Sequence, residues 1–137
     1  DLDEEAIGGI VEASVTHGLT GLIVSNTTVA RPASLTAPHK AEPGGLSGAP
    51  LFEPSTKALR TAAIAAKGRL VLIGAGGVAS GAATLAKLKA GASAVQLYSA
   101  LALQGPGLVP RVLKELKAAL AAEGFTSVAA AVGADLR

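Results

Sequence analysis

Residues 70–77 read Leu70-Val71-Leu72-Ile73-Gly74-Ala75-Gly76-Gly77, an aliphatic run that breaks into small residues and a glycine pair. An aliphatic run with no polar alternation predicts a strand buried on both faces, the pattern of a parallel sheet covered by helices. Ser80 follows as a helix N-cap, Leu85 and Leu88 give that helix its apolar side, and Gly91 stops it. Upstream, Gly21-Leu22-Ile23-Val24-Ser25 repeats the buried-strand signature. A helix precedes it, with Ile7, Ile10, Val11 and Val15 at helical spacing, Asp1 and Asp3 at the positive end of its dipole and Gly18 as its stop. Pro54 suits the first turn of a helix that runs to about Lys67, with Leu59, Ala63 and Ile64 on one side. Downstream, Ala94-Val95-Gln96-Leu97-Tyr98 predicts a third strand. A last long helix is expected from near Pro106, carrying Leu108, Val109, Val112, Leu113, Leu116 and Leu120; Gly124 ends it, and Ser127 to Val132 forms one more short helix.

The order α-β-α-β-α-β-α places a helix in every strand-to-strand connection, which implies parallel strands with right-handed crossovers. Three parallel strands leave two open edges, which complete domains pair or cover. The expected fold class is therefore α/β, the last three βα units of a (β/α)₈ TIM barrel or of an open doubly wound sheet. The 137 residues contain no Met and begin at Asp1, so a fragment of a longer chain is expected, with residues 1–137 the C-terminal part of one domain.

Composition removes several function classes. Half the residues are hydrophobic and mean hydropathy is positive, so the chain has apolar surface enough to fold. A net charge of +2 and 2% aromatic residues give neither the basic footprint nor the stacking platforms of a nucleic-acid binder. Without cysteine there is no disulfide, thiolate metal site or cysteine nucleophile, and the two isolated histidines, His17 and His39, do not suggest a histidine-rich metal site. The uncharged stretch Ala90 to Pro110 is long enough to cross a bilayer, but its Gly91, Gln96, Gln104, Gly105, Pro106 and Pro110 mark it as a buried strand and loop.

In both architectures ligands bind at the carboxyl ends of the strands. Those ends carry Ser25-Asn26-Thr27-Thr28, Gly74-Ala75-Gly76-Gly77 and Tyr98-Ser99. Gly76-Gly77 before a helix start permits close backbone approach to an anion, reinforced by the helix N-terminus. As the loops after the last two barrel strands, the Gly77 turn and Tyr98-Ser99 are a phosphate site; read blandly, Gly76-Gly77 is only a tight turn. The Asn26-Thr27-Thr28 amide and hydroxyls donate and accept, and suit the imide or carboxylate edge of a flat heterocycle; the plainer role is turn capping. Residues 26–50 form a long loop in which Gly44-Gly45-Leu46-Ser47-Gly48 can wrap a ligand closely. Arg111, Lys114, Glu115 and Lys117 read as the wet face of the last helix. No paired carboxylates, Ser-His-Asp set or metal constellation stands out, so a proton-abstracting group is expected outside these residues and no catalytic residue is assigned within them.

In series, "GLIVSNTTVARP" (21–32), "GGLSGAPLFEPST" (44–56), "LIGAGGVASG" (72–81), "AGASAVQLYSAL" (90–101) and "GFTSVAAAVGAD" (124–135) resemble dihydroorotate dehydrogenase. Arg31-Pro32 and "GGLSGAPL" look like its quinone-dependent, membrane-associated class 2. The resemblance implies an α/β barrel holding FMN at its carboxyl-end face. It also implies oxidation of dihydroorotate to orotate in pyrimidine (UMP) biosynthesis, with proton loss to a base, hydride transfer to flavin and electrons passed to ubiquinone. By motif, Ser25 and Gly48 would contact FMN, Gly77, Tyr98 and Ser99 would hold its phosphate, and Asn26 and Thr27 would bind substrate; Ser47 and Gly76 rank lower.

Two positions depart from the family pattern: Ser25 stands where Thr is common, keeping the hydroxyl, and Pro43 stands where Thr is common before the glycine pair. The family's serine base, its flavin-contacting lysine and its quinone-entrance helices would all precede Asp1, so the polypeptide alone is expected to be inactive. Membrane association would come through that N-terminal part. The wording looks closer to plant and algal forms, which favours the mitochondrial inner membrane, with the bacterial cytoplasmic membrane as alternative. The competing readings are a non-redox phosphate-binding barrel enzyme and a non-catalytic half-barrel.

Overall fold

The computed structural model describes residues 1–137. The elements are α1 (Glu4–Thr16), β1 (Gly21–Val24), α2 (Phe52–Ala66), β2 (Val71–Ala75), α3 (Gly81–Lys89), β3 (Ala94–Gln96), α4 (Ser99–Gln104), α5 (Leu108–Ala122) and α6 (Val128–Ala131). Short 3₁₀ turns occupy Ala49–Leu51 and Ala134–Leu136.

The Ser80 cap expected from sequence forms, its Oγ accepting from the Ala83 N–H at 3.2 Å. Asp3, expected only as an acid at the helix dipole, also caps its helix, its Oδ1 accepting from the Ala6 N–H at 2.8 Å. These contacts satisfy donors that an isolated helix end leaves orphaned. The first helix ends at its His17 cap, followed by Gly18 in a left-handed conformation.

The sheet is parallel in the order β1-β2-β3. Leu22 pairs with Leu72, Val24 with Gly74 and Gly74 with Val95. This register makes the three strands finish side by side, so the segments after Val24, Ala75 and Gln96 share one rim. Helices cover one face. Val11, Val24, Leu59, Ala62, Leu70, Leu72 and Ala92 pack into one buried cluster between α1, α2 and the sheet. Leu85, Leu88, Leu116, Leu120 and Ala131 form a second beneath α3, α5 and α6.

The strands are buried on one face only, which corrects the two-sided burial expected from their composition. Ile23 is 58% exposed and Val71 47%, although Val24 and Leu72 next to them lie in the core. Alternate residues of a strand point to opposite faces. Only the helix side is covered within these 137 residues.

Two further corrections concern the chain after β3. The third strand ends at Gln96 rather than Tyr98, and the stretch expected as loop contains the extra helix α4. Helix α4 buries none of its residues and leaves Leu103 86% exposed, so it has no apolar stripe for a periodicity reading to detect. Gly105, Pro106 and Gly107 separate it from α5. No helix is long and apolar enough to cross a membrane.

Candidate functional site

The rim where the strands end is a cleft of 520 Å³ whose walls include Ser25, Asn26, Thr27, Gly48, Gly77, Tyr98 and Ser99. Of the site residues expected from sequence, all but Thr28 line this one concavity. No Asp, Glu, His, Lys or Arg side chain lines it. The cleft offers hydrogen-bonding groups without charge.

The turn after β2 is shaped by close backbone approach. Gly77 has φ +73°, and a Cβ there would lie 2.5 Å from Phe52 Cβ and 2.6 Å from Phe52 N. Glycine is thus required both by the left-handed conformation and by contact with the start of α2. The N–H groups of Gly76, Gly77, Val78 and Ala79 have no acceptor within the protein. Those of Tyr98, Ser99 and Ala100, in the turn that opens α4, have none either. Two runs of unpartnered amides thus border one cleft, an arrangement that favours an anion.

The N-terminus of α3 does not belong to that cradle, contrary to the sequence expectation. The helix starts at Gly81, where the backbone N–H donates to Glu115 Oε2 at 2.8 Å, and Ser80 caps the next turn. A protein carboxylate already complements that helix end. Glu115 is held well below the usual carboxylate range, first by the Gly81 N–H and then by Arg111.

Arg111 donates to Glu115 Oε1 at 2.8 Å, to Gln104 Oε1 at 2.7 Å and to the Ala79 carbonyl at 3.3 Å. Arg111 and Glu115 therefore clamp the β2–α3 turn to α4 and α5, correcting their reading as a plain wet face. A Cβ at Gly81 would meet Leu116 N at 2.3 Å, which shows how closely the two helices approach.

The segment after β1 supplies the polar wall. The Val24–Ser25 peptide is cis. Asn26 Oδ1 accepts from the Thr27 N–H at 2.8 Å, so part of the carboxamide does serve as a turn cap, while its nitrogen has no acceptor within the protein. Thr28 is withdrawn from the ligand set: its hydroxyl donates to Asp1 Oδ1, accepts from the Ala30 N–H at 3.0 Å and is buried. Thr28 and Leu46 also pair as an antiparallel bridge, which folds the 26–50 loop back on itself. A Cβ at Gly45 would lie 1.9 Å from Thr27 Oγ1, so this glycine lets the loop close over Thr27.

Arg31 organises the rest of the loop. Its guanidinium donates to the carbonyls of Lys40 (2.8 Å), Val29 (3.0 Å), Glu42 (2.9 Å) and Gly44 (2.8 Å). Backbone carbonyls that a loop cannot pair with each other are gathered on one planar donor fork. The loop then returns to the cleft at Ser47, whose Oγ accepts from Ser99 Oγ at 3.0 Å.

Sequence reading missed Lys87. It lies on α3, fully buried, with Nζ donating to Ser55 Oγ at 2.6 Å and to the Ala75 carbonyl at 3.3 Å. Nζ also stands 5.2 Å from the Phe52 ring centre. Burial pushes its ammonium down to about 8, partly offset by the field of Glu53. The only sequence signal was a lysine in an otherwise apolar stretch of helix, which reads equally well as a solvated residue.

Residues 1–120 match the family model for dihydroorotate dehydrogenase. The dihydroorotate dehydrogenase (quinone) of Azorhizobium caulinodans is 54% identical over 137 residues, covering 100% of this chain and 38% of that protein. The mitochondrial dihydroorotate dehydrogenase (quinone) of Oryza sativa subsp. japonica is 46% identical, covering 100% of this chain and 29% of its own length. The ligand-free DHODH crystal structure from Eimeria tenella superposes with a TM-score of 0.96 at 39% identity, covering 100% of this chain and 38% of that one. The chain thus spans 29% to 38% of the length of these relatives.

Proposed function

This chain belongs to the dihydroorotate dehydrogenase family, and from that premise we propose that residues 1–137 are part of a single FMN-binding α/β-barrel catalytic domain. The reaction proposed is oxidation of dihydroorotate to orotate, with ubiquinone as the final electron acceptor. The observation that carries this reading is the uncharged cleft lined by Ser25, Asn26, Thr27, Gly48, Gly77, Tyr98 and Ser99, with unpartnered amides on two of its sides.

The residues present fit FMN. A phosphomonoester matches the amides of Gly76 to Ala79 and of Tyr98 to Ala100. Tyr98 is 83% exposed and its N–H has no acceptor within the protein, so Tyr98 would act there through its main chain. The Ser47–Ser99 hydroxyl pair can reverse direction, with Ser47 donating to Ser99 and Ser99 donating to the anion. Gly48, at φ +81°, brings bare backbone to the cleft, and with Ser25 would lie against the flavin. When bound, FMN supplies a two-electron acceptor that takes hydride from dihydroorotate and passes the electrons to ubiquinone.

Asn26 and Thr27 would orient the substrate. The carboxamide nitrogen donates and the Thr27 hydroxyl donates or accepts, which suits carboxylate and imide edges. No side chain on the cleft is a ready base at neutral pH, so proton removal is assigned to a group outside residues 1–137, and the polypeptide alone is expected to be inactive.

The proposed setting is a quinone-bearing membrane, approached through residues outside this chain. The rice relative, named as mitochondrial, supports the inner mitochondrial membrane. The bacterial relatives at 54% and 53% identity give weight to the bacterial cytoplasmic membrane.

The test is spectroscopic and kinetic. The full-length protein carrying this sequence should be yellow with flavin absorbance, and should reduce a short-chain ubiquinone only when dihydroorotate is added. A colourless protein that binds a sugar phosphate instead would overturn the assignment. Turnover by the 137-residue polypeptide alone would overturn the claim that the base lies elsewhere.

A further inference from the structure

Lys87 is a buried cation that the proposed chemistry does not use. An ammonium removed from water needs close partners. Here the partners converge on the turn after β2. Nζ donates to the carbonyl of Ala75, the residue immediately before Gly76, and to Ser55 Oγ. The Ser55 proton is within reach of the Gly76 carbonyl at 3.3 Å and of the Phe52 carbonyl at 3.1 Å. A Cβ at Gly76 would lie 2.6 Å from Ser55 Oγ, so the turn rests directly on this hydroxyl. The carbonyls of Ala75 and Gly76 are thereby drawn toward Lys87, while the amides that follow have no acceptor within the protein. Peptide planes are rigid, so fixing the carbonyl of one residue fixes the N–H of the next.

We propose that Lys87 is a positioning residue for phosphomonoester recognition: through Ser55 and the Ala75 carbonyl it holds the Gly76–Gly77 turn with its amides turned to the cleft, and its buried charge complements a bound dianion. This rests on the reading of that turn as the phosphate site of FMN. Glu53, on α2, is the one charged group whose field acts on Lys87. Ser55 and Phe52, also on α2, and the Ala75 carbonyl of β2 approach it as neutral partners. A dianion in the cleft would add a second negative field and favour the charged ammonium.

Riboflavin has the same ring system as FMN and lacks the phosphate, so the pair separates phosphate recognition from flavin recognition. Apoprotein of the full-length chain is titrated with each, following quenching of flavin fluorescence. Wild type should prefer FMN, and Lys87→Met should lower FMN affinity about tenfold or more, as for loss of a charge-assisted contact, with riboflavin affinity changed less than about twofold. Lys87→Arg should recover part of the preference, and Ser55→Ala, which keeps the charge, should lose less than Lys87→Met. In wild type the FMN preference should also fall between pH 7 and pH 9.5, a range in which the phosphate itself stays dianionic, and this reading stands even where Lys87→Met fails to fold. A Lys87→Met protein that keeps the full preference, or a wild-type preference flat with pH, overturns the role of Lys87 while leaving the phosphate site intact. A wild type that binds riboflavin as tightly as FMN overturns the phosphate site and this role with it.

Discussion

Ser99 Oγ and Ser47 Oγ, 52 positions apart in sequence, meet at 3.0 Å across the mouth of the cleft. The contact fastens the loop ahead of α2 to the turn after β3. Ser99→Ala removes both this fastening and a hydroxyl from the proposed phosphate cradle, whereas Ser47→Ala removes the fastening alone. A neutral hydrogen bond is worth about 0.5–1.5 kcal/mol. FMN affinity of the full-length protein should therefore fall about 2- to 10-fold in Ser99→Ala and less in Ser47→Ala. Fluorescence titration checks the order; equal losses would remove Ser99 from the cradle.

Gly77→Ala should cost both stability and flavin. The added methyl would sit 2.5 Å from Phe52 Cβ at a φ of +73°, so strain and overlap act together. Each is worth about 1–3 kcal/mol. Thermal unfolding should show a clear drop in Tm, and the purified variant should carry less flavin. Gly107→Ala, with nothing within 4 Å of the new methyl, serves as the control with little effect.

Glu115→Gln should flatten the acid limb of stability. The Gly81 N–H and Arg111 lower the Glu115 pKa in the folded state. A depressed carboxylate contributes stability above its unfolded pKa and loses it as pH falls through the folded value. Wild type should therefore lose stability more steeply than Glu115→Gln below the ordinary value of 4.5. Urea midpoints measured from pH 6 down to pH 3 decide it, and parallel curves would sink the clamp.

Lys87 acts at the opposite end of the scale. Burial lowers its pKa from 10.5 to about 8 in the folded protein. Between those values the unfolded chain holds the proton and the folded chain does not, so stability rises with pH across that window. At about 1.4 kcal/mol per pKa unit, the rise relative to Lys87→Met is about 3 kcal/mol at most. Denaturant unfolding at pH 7.5 and pH 10 measures it; a wild type that gains nothing over Lys87→Met would contradict the burial of the ammonium.

Arg31→Ala should open the 26–50 loop without unfolding the sheet. The guanidinium gathers the carbonyls of Val29, Lys40, Glu42 and Gly44, none of which belongs to a helix or strand. Limited proteolysis should cut between residues 30 and 44 faster than in wild type, with Tm nearly unchanged. Arg31→Lys should rescue only in part, because an ammonium cannot reproduce the planar fork.

Local pattern alone settled much of this molecule. The aliphatic runs at Leu22 and Leu72, the Ser80 cap and the Gly18 stop each record a preference that acts within a few residues, so the three strands and their parallel topology were legible from composition and spacing, although the third strand stops at Gln96 and α4 follows it unforeseen. The cleft residues Ser25, Asn26, Thr27, Gly77, Tyr98 and Ser99 could be named in advance because strand ends are where such folds expose polar groups, whereas Gly48, in the 26–50 loop, was singled out only through its family motif.

Tertiary structure decided what surrounds them. Glu115 reaches the Gly81 N–H from 34 positions away, Arg111 reaches the Ala79 carbonyl from 32, and Lys87 reaches Ser55 from 32. Helix α4 escaped notice because it buries nothing, and the open face of the sheet escaped notice because a strand's own composition does not say what lies across from it. Periodicity reports which face of an element is apolar. Which distant charge comes to rest against a given backbone amide is fixed only when the helices have packed.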